Sequence, residues 1–381
     1  MRPVRVLHLI NGEYFGGSAR VLMNYLGSPQ RTSDVAVGVL FPGELERRCR
    51  EMDVRTELLP MAGRLDLRAT RSVLRLARSH RADLIHTHQV RNTLLGRLAS
   101  MVKGRPVVTH VHSPAFRESA SVLRNRLSGG VDRVLARRTA RFIAVSSSLA
   151  TELANQGIPR DKIRMVANGI PMPNPPAAGV EGDVRREFGI PTGVSLVGMV
   201  ANLRPRKGAE LLLAATAELA RSGFDLHVML VGQPFREFGR DYGLELRLLV
   251  DRLGLGPRVT LTGYRSDIDR LMSAIDVFVL PSLFGEGMPM VLLEAMGMGL
   301  PVITTSVEGI PEVVTAGEDG ILVPPGDSQA LATAIRRLVG DAGLRRRLGS
   351  AARRTLIAKF TADRMARGID EVYAELGAVA D

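Results

Sequence analysis

Short, nearly continuous Val/Ile/Leu runs, each followed by a longer stretch of helical periodicity, constrain this chain more than any other feature. In the first half they are VRVLHLI (4–10), VAVGVL (35–40), DLIHTH (83–88), PVVTHVH (106–112), RFIAVS (141–146) and IRMVAN (163–168). After a proline- and glycine-rich stretch at 169–183 they resume as VSLVGMVAN (194–202), LHVMLVG (226–232), VTLTG (259–263), VFVLPS (277–282), PVITT (301–305) and GILVPP (320–325). Runs this short that lack polar alternation suit strands buried on both faces, and strands alternating with helices suit parallel βαβ sheets. A chain of 381 residues exceeds one compact core. The expected fold is therefore α/β, two doubly wound Rossmann-like domains facing each other across a cleft. Their expected bounds are 1–172, a linker at 173–192, a second domain at 193–355, and a closing helix at 356–381 that returns to the first domain.

Ligands of such sheets bind beyond the carboxyl ends of the strands, so the loops there are the candidate sites. In INGEYFGGSARVLMNYL (10–26), Gly16 and Gly17 let backbone amides approach a phosphate at a helix start. The spacing is neither G-x-G-x-x-G nor a P-loop; a plain strand-to-helix turn is the alternative. In MVANLRPRKGAELLLAA (199–215), Arg204, Arg206 and Lys207 converge before a helix, an arrangement suited to a diphosphate. His86, His88, His110 and His112 sit near strand ends. Three readings stand beside one another: a four-histidine metal site, side chains satisfied by backbone groups, or polar contacts to a substrate.

The stretch FGEGMPMVLLEAM (284–296) carries Glu286 on a glycine loop and Glu294 two turns into an apolar helix. Pro289 suits a helix start, and amides around Gly287 and Met288 offer an anion seat. A carboxylate reaching back along a helix can hold the vicinal diol of a ribose. Two such carboxylates need not be a hydrolytic pair; they can hold two ends of one nucleoside diphosphate sugar. A solvated Glu286 and an arginine-paired Glu294 are the bland alternative.

At these residues the sequence resembles the family 4 glycosyltransferases, retaining enzymes of the two-Rossmann GT-B type. PSLFGEGMPMVLLEAMGMGLPVITTSVEGIPEVV (281–314) is similar to their E-x7-E signature region, and the resemblance covers nearly the whole chain. It implies that Glu286 contacts the donor sugar and its developing positive charge, and that Glu294 holds the ribose. It implies too that Gly287, Met288 and Pro289 line the sugar and phosphate seat, and that His112 lies beside the sugar. The stretch GGSARVL (16–22) is similar to the family's first glycine loop, and FTADRMARGIDEVYAEL (360–376) to its closing helix. The chain departs from the pattern at Asn202, where the family has an arginine, leaving Arg204 and Arg206 as substitutes. It departs again at Pro171, where an aspartate is common, and in the first loop, which lacks an acidic residue.

The expected activity is metal-independent transfer of a hexose from a UDP-, GDP- or other NDP-sugar to a glycan or lipid-linked acceptor, in exopolysaccharide, lipopolysaccharide or glycolipid synthesis. The nucleotide sugar is a co-substrate, and no cofactor is expected. A sugar-nucleotide epimerase on the same fold and a non-catalytic nucleotide-sugar-binding scaffold are the rivals. The net charge of +12 favours anionic partners. With no tryptophan and 4% aromatics the chain lacks base-stacking platforms, which counts against nucleic acid. The arginine-rich stretch 117–142 suggests an anionic membrane surface, with a solvated helix face as its alternative. One cysteine, Cys49, and no apolar run long enough for a signal peptide or a membrane span fit a cytoplasmic, peripheral protein. Asp267-Ile268-Asp269 has D-x-D spacing, but a helix cap or surface pair suits it better than a metal.

Overall fold

The computed structural model describes residues 2–13, 15–59, 67–113, 136–173, 179–237 and 239–377. The chain forms two compact units, Met1–Pro171 with Phe360–Asp381, and Met172–Lys359. Each is a doubly wound parallel sheet with helices on both faces.

The first sheet holds β1 (Arg5–Ile10), β2 (Asp34–Val39), β3 (Arg55–Leu58), β4 (Leu84–His88), β5 (Val107–Val111), β6 (Thr139–Ala144) and β7 (Ile163–Met165), in the order β3-β2-β1-β4-β5-β6-β7. The edge strand β3 was not legible as a strand: RTEL exposes its arginine and its leucine and has no apolar run. Alternation along β1 sends Leu7 and Leu9 to one face, where they join Val73, Leu76, Leu95 and Ala99 from the helices Leu67–Ser79 and Val90–Lys103 in an apolar core. His8 is therefore sent to the other face. The register pairs His8 with His86 across β1 and β4, and His88 with His110 across β4 and β5. Strand periodicity thus gathers histidines from three strands on one face.

The C-terminal helix Ala362–Gly377 belongs to this unit. Glu375 bridges Arg141 (3.0 Å) and Arg164 (2.9 Å), and Ser28 donates to Asp363 (2.7 Å). Gly169 allows its entry, since a Cβ there would lie 2.2 Å from the Thr361 carbonyl oxygen.

The second unit holds β8 (Ser195–Val200), β9 (Leu226–Val231), a short hairpin of β10 (Arg236–Glu237) and β11 (Arg240–Asp241), β12 (Val259–Gly263), β13 (Val277–Leu280), β14 (Val302–Thr305) and β15 (Ile321–Val323). Its sheet runs β12-β9-β8-β13-β14-β15. Val228, Leu230, Val277 and Val279 pack against Leu212, Leu246 and Ile335 of the covering helices. Part of the expected linker is not a linker: Val180–Glu187 is a helix of this unit. Buried Arg185 anchors it to Asp276 (2.9 Å) and to the Val194 carbonyl (2.8 Å). A composition-based reading stops at the prolines and cannot see that ion pair.

Strand order reverses direction from β1 to β4 in one sheet and from β8 to β13 in the other. These are the topological switch points, where such sheets open their ligand crevices. Among the described residues, no helix is long and apolar enough to cross a membrane.

Candidate functional site

In the second unit the loops after β8, β13 and β14 meet. After β8, Pro205–Lys207 forms one 3-10 turn that ends at Gly208, whose φ is +74°. Only glycine fits there, because a Cβ would stand 2.1 Å from the Pro281 carbonyl oxygen. That close approach lays the basic turn on the end of β13, and Leu283 N–H donates to the Arg206 carbonyl (2.7 Å) to lock it.

Glu286 is buried, 4% exposed, so the solvated-loop alternative does not hold. Its Oε1 pairs with Lys207 Nζ, accepts from Ser282 Oγ (2.6 Å) and lies 3.6 Å from Arg206 Nη1. Burial lowers the Lys207 pKa, with Arg206 and Arg204 acting the same way and Glu286 opposing. The ammonium thus keeps its charge chiefly through its carboxylate partner. Arg206 also donates to the carbonyls of Phe284 (3.3 Å) and Gly285 (3.1 Å). Arg204 turns elsewhere, its guanidinium 3.8 Å over the Phe235 ring. Of the two substitutes for the arginine absent at Asn202, Arg206 is the one beside Glu286.

Gly287, Met288 and Pro289 are buried between Glu286 and the helix Met290–Gly297. Pro289 stands one position before the helix, and its carbonyl accepts from Leu292 N–H (3.1 Å). Glu294 lies half-buried in the second turn. The sequence reading missed Ser282 and Glu308. Glu308 has φ +34°, a strained value for a residue with a Cβ. Its Oε2 accepts from the amides of Gly285 (2.9 Å) and Glu286 (3.2 Å), and Gly309 N–H donates back to the Glu286 carbonyl (3.1 Å). Two consecutive amides of the β13 loop, two positions before the Gly287 and Met288 amides expected as an anion seat, are thus occupied by the chain's own Glu308 carboxylate. The positive φ has no sequence signature, since Val-Glu-Gly reads as an ordinary turn.

In the first unit, Gly16 caps the helix Gly17–Leu26 in an extended conformation, and Arg20 N–H donates to its carbonyl (3.0 Å). Gln89, with φ +69°, ties this loop down: Oε1 accepts from Asn11 N–H (3.0 Å), and Nε2 donates to Ser18 Oγ (2.8 Å). Sequence reasoning missed Gln89 as well.

His8, His88 and His112 are hydrogen-bonded to one another rather than to backbone, His86 bonds the Tyr373 hydroxyl, and among the described residues neither ring nitrogen of His110 has a hydrogen-bond partner. His112, at the carboxyl end of β5, bonds His88 (Nε2 to Nδ1, 3.0 Å), and His88 bonds His8 (Nε2 to Nδ1, 3.0 Å). His8 was missed because it stands alone in VRVLHLI. Burial keeps all five rings neutral: His8 is lowered to about 3 and His112 to about 4, and His86, His88 and His110 lie well below the usual value. Two triads, His8/His86/His88 and His88/His110/His112, bring ring nitrogens within 4.8 Å of one another. A metal must lie close to each ring plane, about 2.0–2.1 Å from nitrogen. The planes of His86 and His88 are 12° apart with centroids 4.6 Å apart, and those of His110 and His112 are 18° and 4.3 Å apart. Stacked rings point their lone pairs side by side rather than at one shared ion, and the hydrogen bonds among the histidines run between other pairs, His8 with His88 and His88 with His112.

Asp267 precedes the helix Ile268–Met272 without capping it. It pairs with Arg265 (2.7 Å) and Arg270 (3.2 Å), and the Arg265 hydrogen bond leads in lowering its pKa to about 2. The first aspartate of the D-x-D spacing is thus engaged in a surface ion-pair network. Most of the basic stretch 117–142 lies outside the described residues.

A family profile described as Glycosyltransferase Family 4 matches residues 15–172, and one described as Glycosyl transferases group 1 matches residues 194–341. The chain is 30% identical over 315 residues to alpha-maltose-1-phosphate synthase of Mycolicibacterium smegmatis, covering 78% of this chain and 80% of that protein. It is 29% identical over 282 residues to UDP-Gal:alpha-D-GlcNAc-diphosphoundecaprenol alpha-1,3-galactosyltransferase of Escherichia coli, covering 72% and 71%. The crystal structure of Anabaena Alr3699/HepE in complex with UDP and glucose matches with a TM-score of 0.87 and 26% identity, over 98% of this chain and 100% of that one.

Proposed function

Because this chain belongs to the family 4 glycosyltransferases and carries their GT-B fold, we propose that it transfers a hexose from a nucleoside diphosphate sugar to an acceptor hydroxyl with retention of anomeric configuration. The observation that carries this reading is the buried Lys207–Glu286 pair, with Arg206 and Ser282 around it, at the switch point of the second sheet. UDP is the first base to try, since Anabaena Alr3699/HepE was crystallised with UDP and glucose.

In this reading Glu294 holds the ribose, Lys207 and Arg206 hold the diphosphate, and Gly287, Met288 and Pro289 line the seat. Gly16 and Gly17 bring helix-start amides to the donor phosphates, and His112 contacts the sugar. As the bond from the anomeric carbon to the diphosphate breaks, negative charge grows on the leaving oxygen and positive charge on the sugar. Lys207 and Arg206 meet the first, and the Glu286 carboxylate meets the second. The acceptor oxygen bonds the same face of the anomeric carbon, and its proton passes to the departing diphosphate. Two fixed cations supply the charge neutralisation, so the scheme requires neither metal nor cofactor.

For the acceptor, a lipid-linked glycan fits the family relatives, one of which is named for a diphosphoundecaprenol substrate. Arg68, Arg71, Arg75 and Arg78 lie exposed along one face of the helix Leu67–Ser79, a stripe that suits an anionic membrane surface and a peripheral location. A thermal-shift screen with UDP, GDP, ADP and dTDP and their hexose conjugates, with and without magnesium, tests the donor assignment. A ligand bound by the native state alone raises the midpoint. A rise with one base, independent of metal, is expected; no rise with any nucleotide would count against the whole scheme.

A further inference from the structure

We propose that Glu308 is a positioning residue for Glu286, clamping the main chain of the loop after β13 so that the Glu286 carboxylate keeps one aim. Glu286 stands between Gly285, whose φ is +81°, and Gly287. A stretch so rich in glycine has no shape of its own. What holds it comes from the loop after β14. Glu308 Oε2 accepts from the amides of Gly285 (2.9 Å) and Glu286 (3.2 Å), and the next residue, Gly309, donates its N–H to the Glu286 carbonyl (3.1 Å). Both main-chain hydrogen-bonding groups of Glu286 are thus taken by two consecutive residues. The β14 end is itself anchored: Ser306 N–H donates to the Val323 carbonyl (3.0 Å), and Thr305 Oγ1 donates to the Ser282 carbonyl (2.5 Å).

The Glu286 side chain is held from its far end. Ser282 Oγ and Lys207 Nζ both meet Oε1. With the main chain and Oε1 each fixed, the torsions between them have little freedom left. Without Glu308, Ser282 and Lys207 would still hold that oxygen, but the glycine loop could shift around it. Two features favour a role in the site over mere loop closure. Glu308 sits at φ +34°, and such strain persists where the surroundings over-determine it, above all at functional sites. Its carboxylate is also bonded to the main chain of another glutamate, a like-charge arrangement that a neutral acceptor would have avoided.

The effect on transfer rests on the proposed function; the clamp itself does not. NMR of the whole deuterated enzyme reads the clamp through the amide protons of Gly285 and Glu286. An amide donating to a carboxylate resonates at low field. Both signals should move upfield in Glu308→Gly and return in part in Glu308→Gln, whose side-chain oxygen accepts at the same place without the charge. Glu308→Gly relieves the backbone strain as it removes the clamp, which keeps a folded protein for comparison. In that variant kcat for transfer should fall about tenfold to a hundredfold, the scale of a displacement of up to about 1 Å at a reacting group, with donor KM unchanged. Glu308→Gln should recover most of the loss. In a Glu286→Ala background Glu308→Gly should cost nothing further, because Glu308 acts only through Glu286. Shifts unmoved in Glu308→Gly would overturn the clamp. Shifts moved with transfer undiminished, or an equal loss in the Glu286→Ala background, would overturn the positioning role. Wild-type transfer by Glu286→Ala alone would be a failure of the proposed function, seen without any Glu308 variant, and would take the positioning role with it.

Discussion

The two units solve the same problem, polar side chains buried at a switch point, by opposite means. The first unit buries neutral imidazoles, three of them joined in one hydrogen-bonded line; the second buries a formal ion pair, Lys207–Glu286. A neutral network tolerates burial as long as its rings stay unprotonated. An ion pair tolerates it as long as neither partner leaves. The first arrangement is therefore vulnerable to acid, and the second to the loss of either charge.

The largest effect expected from this contrast is in the second unit. Lys207→Met leaves the Glu286 carboxylate buried with its main counter-charge gone, and a broken buried pair typically costs about 3–5 kcal/mol. Denaturant unfolding of the variant should show that loss; a change under about 1 kcal/mol would mean that Arg206 and Ser282 suffice without the lysine. In the first unit the sign runs the other way with pH. His8 and His112 have folded values of about 3 and about 4, below the usual 6.5. Their contribution is present above 6.5 and is lost as pH falls toward the folded values, because the unfolded chain then binds more protons. By pH 5 each locked histidine costs about 2 kcal/mol. The second unit holds a single shifted histidine, His227, lowered chiefly by burial. Hydrogen exchange at pH 5 and 7 should thus show protection lost first in β1, β4 and β5. Equal loss in β8 and β13 would erase the distinction.

Smaller effects sharpen it. Glu308→Ala removes the acceptor of two loop amides and should cost about 1–3 kcal/mol in stability, less whatever strain its positive φ releases. Glu308→Gly, which relieves the strain, separates the two terms. The smallest effect concerns the arginines. Arg206→Lys should weaken donor binding more than Arg204→Lys, whose loss is of the order of one half-exposed cation–π contact, about 1 kcal/mol. Isothermal titration with the donor ranks them, and the reverse order would transfer the phosphate role to Arg204.

Much of this was visible in the sequence, and what was not shares a cause. Buried parallel strands announce themselves because both faces are apolar; β3 does not, because it is a half-exposed edge. Glu286, Lys207 and Arg206 were legible because strand, glycine and helix signals mark the loop ends on which they sit. Glu308, Gln89 and Ser282 were not. Two of them hold backbone angles that no local pattern demands, and the third is an ordinary strand-end serine until the loop after it folds back. His8 became part of a ladder only through the register of β1 with β4, a long-range pairing that periodicity cannot supply. The helix Val180–Glu187 was lost behind its prolines for the same reason, since its anchor, Asp276, lies far along the chain.

The central claim is that Glu286 serves sugar transfer rather than merely closing an ion pair. The most direct measurement is nucleotide release from the donor that stabilises the wild type most, for wild type and Glu286→Ala side by side, with binding of that donor measured on both. Donor binding retained and release reduced about a hundredfold or more, the scale of a lost transition-state electrostatic contact, is the predicted result. Release at the wild-type rate from a folded, donor-bound Glu286→Ala protein would contradict it.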